Sequence, residues 1–471
     1  MLAVHPAAEV AANQVTDPYR LAPPEHDAVY RTLMASRVAG KLCAILRATQ
    51  PAADWPEVLS AVVVQTHYKP FDRGRVVAEV VTQGRRSHTD RVGRFLYLDI
   101  YADPDRARKE HATAMGQFDH QRSDRPPVLL DNWRAVGWWL PDGPNLEAIG
   151  FCFDQREYNR FLAEQGLAAV EGDAALPRLI RYVPRHRALF RGEPRKPGGP
   201  GFYIKCYERG KDEIAAANLA CLTAAYEHGR LAFRPPRMLF HNSERRAVGM
   251  DEVAGVTLTE LMTGAHGDAF ARVGSALASL HGSGSRLNRT AHWTPSGEIK
   301  ALKRAMADIT HALPPLAEPI EALIEDIGRR ASGLDFEGSA TLHGNLFGDQ
   351  ILVDAEHIGI VDWDDLAVGD PLYDVGRLIA HLIYLAAAPE RGSPSDALLP
   401  AQAMLHSYQQ KTGRKVDSSR LRWQIAVALL MRAKISGLRK LSPGWTGGVA
   451  CAVREARQIL MNDSAWLPRR I

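Results

Sequence analysis

LHGNLFGDQILVD (Leu342–Asp354) and, two residues on, HIGIVDWDDLAVGDPLYD (His357–Asp374) are the stretches on which the reading of this chain turns. ILVD and IGIVDW are short apolar runs flanked by turn residues, which predicts a β-hairpin. Its ends present Asn345, Gln350 and Asp362 toward one place. One carboxylate with neutral amide oxygens suits a hard cation. Magnesium takes one or two carboxylates and fills the rest of its shell with water and substrate phosphates.

Before this motif the chain is rich in strands. AVVVQTHYKP, RVVAEVV and RFLYLDIYAD are β-branched and aromatic runs, and RLIRYVP, RALFRG and GFYIKCYE repeat the character further on. A helical stretch near Val29 to Ala48 precedes them, followed by a turn or linker in PAADWPE (Pro51–Glu57). RKPGGPG (Arg195–Gly201) reads as a mobile turn. The two strand-rich segments match in fixed order. HYKPFDRGRVVAEV parallels RYVPRHRALFRG, LYLDIYAD parallels FYIKCYER, and RAVGWWLPDGPNLEAI parallels RAVGMDEVAGVTLTEL. Three blocks in one order predict an internal duplication, with Asp99 at the position of Lys205. After about residue 265 the apolar spacing turns helical, as in FARVGSALASLH and PLYDVGRLIAHLIYL.

The opening motif resembles that of the aminoglycoside phosphotransferase and choline kinase group, which shares the protein-kinase-like fold. The group's pattern is HGD, an Asn or Gln five residues later, three apolar residues and Asp, then IDW and GDPxxD. Here the elements are His343-Gly344-Asn345, Gln350, Ile351 to Asp354, Ile360 to Trp363, and Gly369-Asp370-Pro371 with Asp374. The resemblance covers about residues 178–471, and an ordered motif this long is far more specific than a lone glycine-rich loop. It implies an α+β, two-lobe fold with a duplicated N-lobe-like sheet ahead of it. The domains are then a helical extension at 1–57, an N-lobe-like cap at 58–175, a nucleotide-binding N-lobe at 176–262 and a helical C-lobe at 263–471.

The resemblance also assigns roles. Lys205 stands where a strand lysine holds nucleotide phosphates. GMDEVAG (Gly249–Gly255) fills the connection between lobes, so the backbone near Met250, Asp251 and Val253 would take the adenine, the Asp251 and Glu252 side chains being solvated. Asp362 would bind Mg2+ with Gln350 in support; Gln in place of Asn resembles the maltokinase branch. His343 and Asn345 fall in the catalytic loop, which Asp370 and Asp374 would brace. Asp364 and Asp365 read either as a substrate contact or as a solvated turn.

Two departures stand out. An aspartate at position 345 would accept the acceptor's proton; asparagine has the shape without the basicity. The helix after Lys205 offers Asn218, with Glu213 nearby, where a glutamate would pair with the lysine. The implied activity is ATP- and Mg2+-dependent transfer to a small-molecule hydroxyl. The alternative is a pseudokinase that binds nucleotide and serves as a regulatory or partner protein. The duplicated segment, with Asp99 for Lys205, would not bind nucleotide and reads as a cap, a substrate-side lid or a homodimer contact. HWTPSGEIKALKRAMADITHALPPLAEP (His292–Pro319) would line the acceptor surface.

Composition limits the rest. The 471 residues carry 58 Lys and Arg against 54 Asp and Glu, a net charge of +4 that gives no reason to expect nucleic acid as a partner. Five scattered cysteines predict neither a disulfide framework nor a zinc site. The longest apolar run is too short for a membrane span and the N-terminus lacks a secretory pattern, so a cytoplasmic location is expected. G-x-S-x-G and H-E-x-x-H are absent, which leaves a hydrolase reading weak.

Overall fold

A computed structural model describes residues 21–49, 57–83, 91–118, 125–143, 147–167, 174–193, 199–262, 266–284, 291–386 and 397–461. Most of the PAADWPE and RKPGGPG turns lies outside them. The first helical stretch is two helices, α1 (Ala28–Arg37) and α2 (Lys41–Ala48), not one. The break falls at Gly40, whose φ of +75° is left-handed and ends the helical path. Asp27 caps α1 through the Val29 N–H, and its other oxygen takes the Tyr68 hydroxyl at 2.6 Å and the Phe71 N–H at 2.7 Å. One buried carboxylate thus ties α1 to the sheet beneath it.

That sheet holds β1 (Val58–Lys69), β2 (Arg73–Gln83), β3 (Arg91–Tyr101), β4 (Val128–Leu130) and β5 (Ala135–Trp139), in the order β1-β2-β3-β5-β4. A second sheet holds β6 (Arg178–Val183), β7 (Arg187–Gly192), β8 (Phe202–Tyr207), β9 (Met238–Asn242) and β10 (Ala247–Asp251), in the order β6-β7-β8-β10-β9. Each sheet has a helix after its third strand, α3 (Pro104–Gly116) and, after α4 (Gln155–Glu164), α5 (Lys211–Glu227). Both sheets turn into the next strand through an arginine at positive φ, Arg134 at 52° and Arg246 at 47°. The carbonyls of these arginines accept from the Tyr101 and Tyr207 N–H at 2.9 and 3.0 Å.

Strand periodicity decides how the layers stack. Leu96, Leu98 and Ile100 of β3 face the core under α1 and α2. Tyr97 and Tyr101 face the other way, into a core shared with Phe190, Ile204 and Cys206 of the second sheet. The first sheet is therefore buried on one side by its own helices and on the other by the second sheet.

The remainder is helical: α6 (Gly267–His281), α7 (Pro295–Ala312), α8 (Ala317–Ala331), α9 (Leu372–Ala386), α10 (Leu398–Thr412), α11 (Ser418–Arg432) and α12 (Trp445–Leu460), with a π-helical turn at Ala433–Leu438. Short strands β11 (Val256–Thr257), β14 (Ile351–Val353) and β15 (Ile358–Ile360) form one ribbon, and β12 (Ala291–His292), β16 (Ala367–Gly369) and β13 (Ala340–Leu342) another. The expected hairpin is β14–β15, antiparallel with Ile351 opposite Ile360. No described helix is long and apolar enough to cross a membrane.

Candidate active site

The loop from β13 to β14 is held from behind by Asp374 at the start of α9. Its carboxylate, with no exposure, accepts from the His343 N–H at 2.7 Å and the Gly344 N–H at 3.1 Å, with the His281 ring at 3.3 Å. Burial works against this charge, but His281 and the other donors outweigh it, and the pKa is lowered. Asp370 accepts from the Leu372 and Glu337 N–H groups and lies 3.4 Å from Arg420. Both aspartates thus anchor backbone around the loop.

His343 does not reach the cleft, contrary to its expected catalytic place. Its side chain is fully buried, packs on Trp363 at 4.5 Å and meets the Val361 carbonyl through Nε2 at 3.0 Å. It positions the loop against the hairpin.

Asn345 is half-buried. Its Nδ2 donates to Asp365 Oδ2 at 3.0 Å. That orientation is forced, because the amide oxygen would repel the carboxylate, so Oδ1 is the group left for a ligand. Gly344 makes the contact possible. A Cβ built there would lie 1.8 Å from the Asp365 carbonyl oxygen, and its φ is +82°. Any side chain would drive Asp365 away from Asn345.

Asp362 follows β15 in a left-handed conformation, φ 68° and ψ 58°. Such a conformation is costly outside glycine and tends to persist where a site requires it. Gln350 Nε2 donates to Asp362 Oδ2 at 3.1 Å, while its oxygen accepts from the Phe347 N–H at 2.9 Å. Lys205 reaches across from β8. Its Nζ lies 2.5 Å from Asp362 Oδ1 and 2.8 Å from Asp364 Oδ2. Asp364 also takes Arg187 of β7 at 2.5 Å and the Tyr207 hydroxyl at 3.0 Å. Burial raises the Asp362 pKa, but Lys205 and Arg187 more than reverse this and hold it far below the usual carboxylate range. It stays ionised.

Several expectations are corrected. Neither Glu213 nor Asn218 pairs with Lys205. Glu213 is exposed, and Asn218 donates to the Trp363 carbonyl at 3.2 Å. The lysine's anions both come from the opposite lobe. Asp364 is no solvated turn but a shared acceptor for three N-lobe groups. Asp251 and Glu252 are not simply solvated either. Asp251 pairs with Arg234 and accepts from the Arg237 N–H; Glu252 binds Arg191 at 2.9 and 3.0 Å and the Gly201 N–H at 2.9 Å. In the backbone, the Asp251 and Glu252 N–H groups donate to the Arg237 and Gly201 carbonyls. Among the described residues no hydrogen bond uses the Val253 N–H, so of the three connection residues it offers the free donor; Met250 lies within the β10 ladders. In α7, Leu302, Met306 and Ile309 are core, and His311 stacks at 4.4 Å on Phe71, in the turn between β1 and β2.

With this geometry in hand, the chain can be set beside known proteins. Residues 202–403 match the family model described as phosphotransferase enzyme family. The match runs from β8, which carries Lys205, through the loop from β13 to β14 and the hairpin into α10. Among solved structures, choline kinase LicA from Streptococcus pneumoniae aligns at 13% identity and a TM-score of 0.44, over 65% of this chain and 98% of that one. A choline/ethanolamine kinase family protein from Mesorhizobium loti aligns at 18% and 0.45, over 65% and 94%. Aminoglycoside phosphotransferase APH(2'')-Ib, in its ADP-bound form, aligns at 15% and 0.42, over 65% and 99%. No curated protein matches the sequence.

Proposed function

We propose that this protein is an ATP- and Mg2+-dependent phosphotransferase that acts on the hydroxyl of a small-molecule acceptor, with Asp365 serving as proton acceptor beside Asn345. The observation that carries the reading is Lys205 between Asp362 and Asp364 across the interlobe cleft. A cation already rests on Asp362, so this carboxylate suits a metal, and Gln350 adjoins it. When bound, the metal would offset charge on the nucleotide phosphates.

The chain's own groups divide the rest of the work. Lys205 and Arg187 bind the phosphates from the N-lobe side. The Val253 N–H meets the adenine edge. Asn345 Nδ2 holds Asp365, whose carboxylate accepts from the acceptor hydroxyl and aims its oxygen at the γ-phosphorus. The new P–O bond forms as the bond between the γ-phosphorus and the β–γ bridging oxygen breaks. The hydroxyl proton passes to Asp365, and ADP leaves. The loose transition state of phosphoryl transfer asks more of positioning and charge than of a base.

A second reading, nucleotide binding without turnover, is favoured by one observation: Lys205 has no carboxylate partner on its own lobe among the described residues. Calorimetry with Mg–ATP, using Asp362→Ala as the control, tests the shared site. Acceptor-dependent ATP consumption across sugars, amino alcohols and their phosphates then separates the two readings. If Mg–ATP does not bind, both fail.

A further inference from the structure

Lys205 and Arg187 are neutralised by Asp362 and Asp364. Four other cations near the catalytic loop are not. Arg181, Arg432, Arg439 and Lys440 have no carboxylate within 4.0 Å among the described residues. They come from separate elements. Arg432 ends α11 and stacks its guanidinium 3.8 Å from the Phe347 ring centre, in the catalytic loop. Arg439 and Lys440 follow the π-helical turn, and strand β1 fixes their backbone. The Tyr68 N–H donates to the Arg439 carbonyl at 2.8 Å, and the Thr66 hydroxyl to that of Lys440 at 3.1 Å. From the same strand Gln65 donates to the Tyr182 carbonyl at 2.9 Å, which ties the strand that carries Arg181 to β1 as well.

Their nitrogens are available. Arg439 spends Nε on the His67 ring, 2.9 Å away. His67 accepts because it stays neutral: burial, then Arg439 and Arg75, push its pKa down to about 3. The terminal nitrogens of Arg439 are uncommitted among the described residues, and Lys440 and Arg181 are exposed. Arg432 is 6% exposed, and its Nε has no acceptor. Burial, together with Arg181, Arg75 and Arg187, lowers the Arg439 pKa; burial, Arg432 and Arg181 lower that of Lys440. Asp349 opposes this for Lys440 and Arg432, and Asp362 and Asp364 for Arg181, without restoring the ordinary value of any.

We infer that Arg181, Arg439 and Lys440, over the buried Arg432, form an anion subsite beside the catalytic loop, and that the acceptor is a hydroxyl compound carrying a phosphate group. Like charges held close by three elements repel one another, and a bound anion relieves that repulsion. Two arginines and a lysine supply forked and point donors suited to a phosphate dianion. The nucleotide's phosphates have their own cations, Lys205 and Arg187, at the Asp362–Asp364 end. The acceptor assignment rests on the phosphotransferase reading above; the anion subsite does not.

The test is calorimetric titration of the full chain with inorganic phosphate, with and without saturating Mg–ADP. Phosphate should bind in both conditions, and Arg439→Ala with Lys440→Ala should weaken it about 10-fold or more, leaving Mg–ADP affinity unchanged. Lys440→Gln alone, at an exposed position, should weaken it several-fold and covers the case in which the double variant misfolds. Phosphate binding that Mg–ADP or Lys205→Ala abolishes, while the double variant keeps it, would assign the anion to the nucleotide site and overturn the proposal. So would no phosphate binding, or acetate binding as tightly as phosphate. Failure of Mg–ADP to bind while phosphate still does would sink the phosphotransferase reading and keep the subsite.

Discussion

Replacing Lys205 with Met should move two ligands in opposite directions. In the free protein Nζ makes short contacts with Asp362 and Asp364, its side chain only 7% exposed. A hydrogen bond to a charged group is worth about 1.5–3 kcal/mol net. A divalent cation approaching Asp362 must displace the lysine and so forfeits about that much. Without the lysine, Mg2+ or Mn2+ alone should bind about 10- to 100-fold more tightly. Metal-free ADP loses its phosphate donor and meets two unshielded carboxylates, so its affinity should fall by about the same factor. Mg–ADP combines both effects and should change less than either. Calorimetry of the three ligands on wild type and Lys205→Met reads this directly. Metal affinity that drops together with that of ADP would refute the competition at Asp362. Unchanged binding of metal-free ADP would refute the lysine's contact with phosphate.

The same cluster sets a pH signature. Because the Asp362 pKa is depressed in the folded state, its contribution to stability is full above the unfolded carboxylate value, about 3.9, and fades as pH falls through the folded value. The stability gap between wild type and Lys205→Met should therefore be wide at pH 6–7 and close in strong acid; a gap independent of pH would contradict this. Asp365→Asn should slow acceptor-dependent ATP consumption by about 10²–10⁴-fold with Mg–ATP affinity intact, whereas Asn345→Asp should raise it. An Asp365→Asn variant of normal turnover would remove that residue from the mechanism. Gly344→Ala should cost at least about 1–2 kcal/mol for its left-handed backbone alone and abolish turnover by separating Asp365 from Asn345, checked by thermal unfolding and assay together.

The sequence carried the local part of this site well. The hairpin, the lysine strand and the two bracing aspartates are each set by a short run whose periodicity or turn residues show on inspection. What it hid are relations between lobes. Asp364 and Asp365 look like turn residues because a carboxylate after Trp363 gives no sign that Lys205, Arg187 or Asn345 will meet it. Asn218 and Glu213 lie on the next helix and so look like partners for Lys205, whereas the ions that satisfy it arrive some 157 residues later. Arg181, Arg432, Arg439 and Lys440 have no spacing in common, and only folding gathers them.

The two sheets differ in how they answer a buried charge on their third strand. In the first, β2 places Arg75 opposite Asp99, and Arg75 and Arg73 lie 3.4 and 4.0 Å from its carboxylate. The charge is answered within the sheet. In the second, β7 places Leu189 opposite Lys205, and β10 places Val248 on the other side. With apolar neighbours on both flanks the lysine finds its anions only across the cleft, which is where nucleotide phosphates would lie. A sheet that settles its own charge is free to be a support. β1 holds the N-lobe hairpin through Gln65 and the C-lobe turn through Thr66 and Tyr68. Three residues of one strand thereby tie together the two bodies between which Lys205 and Asp362 must meet. Moving one lobe relative to the other would have to break these hydrogen bonds as well as the Lys205–Asp362 ion pair.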